Sequence, residues 1–175
     1  WVLIAREYNE DPILKTMLPA TWLNARRRTV LMFIDRGHEL GVERMAVARY
    51  PVGTLFPGVW NPEGQPDQYA RIAQILDKAD PARIALNYSD TYALADGLTY
   101  SEQRDFIQAL PARLRDRTVS SEAVAVGWLE TRTADEMAIY KTVMKIAHKI
   151  IQEGFSSDVI TPGVTSMEDL EWWFR

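Results

Sequence analysis

The chain has 175 residues, a formal net charge of −4 and no cysteine. Hydrophobic residues make up 47% and charged residues 25%, the balance of a folded globular chain and not of a disordered one. The acidic surplus argues against a nucleic-acid partner, which calls for a basic one. No run approaches the roughly 18 apolar residues of a membrane helix, and no thiol exists to make a disulfide or a thiolate zinc site. The lack of cysteine leaves both cytoplasm and periplasm open.

The first third has the pattern of strands. Val2–Ala5 is short and apolar, and Thr29–Ile34 is a second apolar run ended by the turn signal Asp35-Arg36-Gly37. Met45–Tyr50 is a third, stopped by Pro51. The connection from Arg6 to Arg28 is long enough to need structure of its own or a function. It ends in the one dense basic cluster, Arg26-Arg27-Arg28, which fits a solvated face or carboxylate partners.

After Pro66 the period changes. Tyr69, Ile72, Ala73, Ile75 and Leu76 share one helical face. Arg83–Asn87 is a short strand, and Thr99-Tyr100-Ser101-Glu102 has the form of a capping box opening a helix that ends near Pro111. Arg117–Val119 is a final strand. Strands that alternate with helices predict an α/β fold, a mixed β-sheet with flanking helices, over residues 1–120.

Residues 121–175 turn helical. Thr133-Ala134-Asp135-Glu136 is a second capping box, opening a helix to about Glu153 with Gly154 as its stop. Met137, Tyr140, Met144, Ala147 and Ile151 form a stripe that Val143, Ile146 and Ile150 widen. A stripe of that width predicts core packing and not a cofactor site. Val159–Val164 is an extended piece with a Pro-Gly turn, and Thr165-Ser166-Met167-Glu168 is a third capping box before the last helix. The apolar run Trp1–Ala5 and the helical pattern of Glu168–Arg175 both read as stretches interior to a longer polypeptide.

The chemistry-bearing residues are few. The two histidines, His38 and His148, have no HExxH or triad spacing around them, so no zinc site is expected. The strand-first mixed sheet is similar to a ribonuclease H motif, but nucleases of that type place metal-binding acids on the first strand. Val2–Ala5 carries none. There is no GxSxG, Walker loop or GxGxxG. Asn87-Tyr88-Ser89-Asp90 follows a strand, where it is either a plain turn or the lining of a cleft, since open sheets bind ligands at their strands' carboxyl ends. Trp60 lies in a loop, where it either packs over the sheet edge or meets a ligand. Trp60, Asn87 and Tyr88 are therefore the candidate substrate-edge residues.

The carboxyl-terminal third carries a resemblance. Trp128-Leu129-Glu130-Thr131-Arg132-Thr133-Ala134-Asp135-Glu136, then Ile139-Tyr140, Ala147-His148 and Val159-Ile160-Thr161-Pro162-Gly163-Val164-Thr165, resemble the entry to the catalytic domain of pita-bread metalloenzymes, the creatinase, aminopeptidase P and prolidase family. The resemblance implies a creatinase-type amino-terminal domain over residues 1–120 and the start of a pita-bread catalytic domain over 121–175. It implies a parent hydrolase cutting Xaa-Pro bonds, with two divalent ions (Mn, Co or Zn) activating a bridging hydroxide. The family's metal ligands, two Asp, one His and two Glu, follow the Pro-Gly turn. The resemblance therefore assigns no catalytic or metal-binding residue to this chain. It also implies a homo-oligomer in which the first domain limits substrate length. A creatine amidinohydrolase parent, a family member without catalysis, and a stand-alone binding module are the alternatives.

Overall fold

A computed structural model describes residues 1–6, 11–18 and 28–175. It divides into two compact units, Trp1–Leu129 and Glu130–Arg175. The first unit contains β1 (Val2–Ala5), α1 (Pro12–Met17), β2 (Thr29–Asp35), β3 (Val42–Ala48), α2 (Gln68–Ala79), β4 (Ile84–Leu86), a 3-10 turn (Ala93–Ala95), α3 (Tyr100–Ala109), α4 (Ala112–Arg115), β5 (Thr118–Ser120) and all but the last residue of α5 (Glu122–Glu130). The second contains α6 (Ala134–Gly154) and α7 (Met167–Phe174).

The expected mixed sheet is present, with five strands in the order β3-β2-β1-β4-β5. β2 is antiparallel to both β1 and β3, while β4 runs parallel to β1 and β5 parallel to β4. Strand alternation sorts the side chains onto two faces. Val2, Ile4, Val30, Met32, Val47 and Leu86 pack with Ile72 and Leu76 of α2 and with the fully buried Phe106 of α3. On the other face Leu3, Ala5, Leu31 and Ala46 meet Ile13, Leu14 and Met17 of α1, and Ala125 of α5. Burial of a side chain the size of Phe106 contributes about 3 kcal/mol.

Several sequence expectations shift. The long connection after β1 holds α1, whose N-cap is Asp11: its Oδ1 accepts from Leu14 N at 2.8 Å, with Pro12 in the first turn. Arg26 and Arg27 lie outside the described residues. The third strand covers Val42–Ala48 and not Met45–Tyr50, because the hairpin pairs Asp35 with Val42 and carries β3 back to that turn. Glu102 completes only half of the box opened by Thr99. Its backbone N–H bonds Thr99 Oγ1, but its carboxylate takes the Tyr69 hydroxyl instead of returning to the cap.

The box at the last helix moves by one residue. Ser166 is the cap and Asp169 its partner, because Thr165 Oγ1 already accepts from Thr161 N at 2.8 Å. Val159–Val164 forms turns, with Val164 N donating to Thr161 O at 3.0 Å. Gly154 is the final residue of α6 and not a left-handed stop. A Cβ there would lie 2.3 Å from Phe174 Cζ, so glycine is what lets α7 close on the helix end. The stripe on α6 is not core. Met137, Val143, Ile146 and Ile151 are each more than half exposed, and Gly154 is the only buried residue of the helix.

Candidate functional site

The carboxyl ends of β1, β4 and β5 share one edge of the sheet, because all three run the same way. Two polar clusters collect there. The first is built on Asn87, directly after β4. Its Oδ1 accepts from Ile4 N at 2.9 Å and its Nδ2 donates to Ile4 O at 2.8 Å. The side-chain amide thus extends the β1–β4 pairing one residue past the single backbone register pair Val2–Leu86. Nδ2 also donates to Asp11 Oδ2 at 2.6 Å. Asp11 is fully buried. Burial pushes its carboxyl up, against the pull of the Leu14 N–H and the Asn87 amide. Gly97 makes room for it, since a Cβ there would fall on Asp11 Oδ2.

Next to this pair, Ser89 Oγ donates to Glu122 Oε2 and accepts from Tyr92 N at 2.7 Å and Thr91 N at 3.1 Å. Thr91 Oγ1 donates to the same Glu122 oxygen at 2.9 Å. The Ser89 hydroxyl, and then the Thr91 hydroxyl, hold the Glu122 carboxyl below its ordinary range. Ser120 Oγ accepts from Glu122 N at 3.1 Å and donates to Tyr88 O, which ties the start of α5 to the end of β4.

The second cluster lies on the α2–α3 face. Arg28 stands 3.1 Å from Glu102 and 4.1 Å above the Tyr69 ring. The Tyr69 hydroxyl donates to the buried Glu102. Gln68 Nε2 donates to Val47 O at 2.6 Å and to Arg28 O at 3.1 Å, closing the same corner.

Asn87 is therefore a brace for β1, and Tyr88 points the other way, partly buried against the α2–α3 core. Trp60 packs against that same core, and its indole N–H donates to Gln65 O at 2.7 Å, pinning the loop before α2. His38 and His148 are exposed.

Sequence reasoning missed Asp11 and Glu122. The Asp11-Pro12 pair is the signal that would have found α1 and its cap. Nothing local marks Glu122, which reaches Ser89 across 33 residues of sequence.

Chemically, the Ser89 hydroxyl is fully engaged and Glu122 is a weak base, so the pair is a poor nucleophile–base couple. Among the described residues no group of three or more His, Cys, Asp or Glu could hold a metal ion. No helix among them is long and apolar enough to cross a membrane. No family model, curated protein or solved structure matches the chain.

Proposed function

We propose that the chain is the amino-terminal part of a metal-dependent peptidase of the Xaa-Pro aminopeptidase and prolidase type, in which the sheet unit shapes substrate access and the chain assembles with its own copies. The observation that supports this reading most is the α6–turn–α7 arrangement. The Thr161–Thr165 turn is closed by Val164 N and Thr165 N on Thr161 O, at 3.0 and 2.9 Å. Gly163 sits at φ 76°, a conformation that favours glycine. That is the physical content of the Thr-Pro-Gly-Val-Thr motif on which the resemblance rests. The creatinase-like identity of the first unit belongs to the same proposal; the five-stranded mixed sheet flanked by helices is compatible with it.

On this reading the catalytic groups and both divalent ions lie outside these 175 residues, and Trp60, Asn87 and Tyr88 serve the substrate edge only by supporting it: Trp60 pins a loop, Asn87 braces β1 and Tyr88 packs on the core. Homo-oligomer formation is supported by the exposed apolar residues of α6.

The test is to express the natural reading frame that contains this chain, beside residues 1–175 alone, and assay both on a Xaa-Pro dipeptide with manganese or cobalt. Turnover by the full frame and none by the 175 residues is the expected result. A reading frame that ends at Arg175, or a longer one without metal-dependent turnover, overturns the peptidase assignment.

A further inference from the structure

A cleft of about 320 Å³ opens at the opposite edge of the sheet, between β3 and the carboxyl half of α2. That is the low end of the size range of small-ligand sites. Its lining includes the apolar Met45, Val59 and Ile75 and the charged Arg36, Glu43, Arg71 and Lys78.

The charges do not balance. Arg36 Nε and Nη2 both donate to Glu43 Oε2, at 2.8 and 2.6 Å, so that pair cancels. Arg71 Nε donates to Val59 O at 2.8 Å. This bond fixes the guanidinium beside Val59, and its Nη atoms make no hydrogen bond among the described residues. Lys78 meets no carboxylate within ion-pair distance among them either. The nearest acids along the chain are engaged elsewhere: Asp77 with Arg113 at 2.8 Å, and Asp80 with Arg117 at 2.8 Å. Two positive charges therefore line the cleft with these apolar side chains, without an anion of their own.

We propose that this cleft binds a small carboxylic acid with an apolar body. Its carboxylate sits between Arg71 and Lys78, and its tail lies on Met45, Val59 and Ile75. A guanidinium already held on one side presents its remaining donors to a planar carboxylate at little entropic cost. The inference rests on the cleft alone and is independent of the peptidase assignment.

The experiment is an amide NMR titration of the whole chain with hexanoate, and with hexan-1-ol and hexylammonium as controls. Hexanoate should shift the amides of Val59, Arg71 and Ile75, with a dissociation constant of about 1 mM. The two controls should leave them in place. Lys78→Glu should weaken hexanoate about fivefold, the range of one exposed ion pair. Lys78→Met, which keeps the helix and the aliphatic stem, should weaken it about threefold and stands in if the charge reversal unfolds the chain. Equal shifts with hexan-1-ol, shifts confined to α6, no shift at all, or full affinity in both Lys78 variants would each overturn the proposal.

Discussion

The two units use similar apolar content to opposite effect. All four residues of β1 are buried, while α6, 21 residues long, buries only Gly154. The polar groups differ in the same way. In the sheet unit Asn87 reaches Ile4 across 83 residues and Asp11 across 76. In the helical unit the bonds stay local, as in Thr133 with Glu136 and Ser166 with Asp169, each three residues apart. A hydrophobic face is buried only when the fold supplies something opposite it. A sheet with helices on each face supplies that from distant sequence. A helix followed by one short helix supplies it only at its end, where Phe174 and Trp173 close on Gly154.

The sharpest way to break this contrast is Asn87→Ala. The change strips the buried Ile4 N–H and C=O of their side-chain partner and leaves Asp11 only the backbone N–H groups of Leu14 and Ile13. We expect about 3 kcal/mol of destabilisation in urea unfolding. A loss under about 0.5 kcal/mol would show that Asn87 does not hold β1 to β4.

Asp11 gives a smaller effect with a defined sign. Burial raises its folded-state value above that of the unfolded chain, so between the two the folded state holds more protons. Its contribution to stability is therefore most favourable below the ordinary aspartate range and is lost as pH rises through the raised value. The urea midpoint of the unmodified chain minus that of Asp11→Asn should fall as pH rises across that range, since the carboxylates held low, such as Glu122, act the other way in both chains. A difference that stays constant with pH would remove Asp11 as a source of pH dependence.

The smallest effect is expected in α6. Ile146 is 55% exposed, so Ile146→Glu should change unfolding stability by less than about 0.5 kcal/mol in the monomer. Sedimentation at micromolar concentration should still separate the two chains. The unmodified chain should run as an oligomer and Ile146→Glu as a monomer. A wild-type monomer at that concentration would show that the stripe does not join copies of this chain.

Local rules carried the sequence far. Periodicity marked the α/β class, β1, β2, α2, α3 and α6, because those patterns depend on neighbours three, four or two residues apart. The box at Thr133 and Glu136 was legible for the same reason. Where a cap signal had a competitor it misled: Glu102 left its own cap for the distant Tyr69 and Arg28, and Thr165 was taken by the local turn to Thr161.

The amino-acid sequence by itself determined which segments could be strands or helices and that no cysteine or histidine cluster would organise a site. The tertiary structure alone decided that Asn87 would extend a strand pairing, that Glu122 would meet Ser89, and that the stripe of α6 would stay exposed. Each of these outcomes depends on which groups the fold brings opposite one another. Hydrogen bonding and apolar burial act over a few ångströms in space, whatever the separation in sequence.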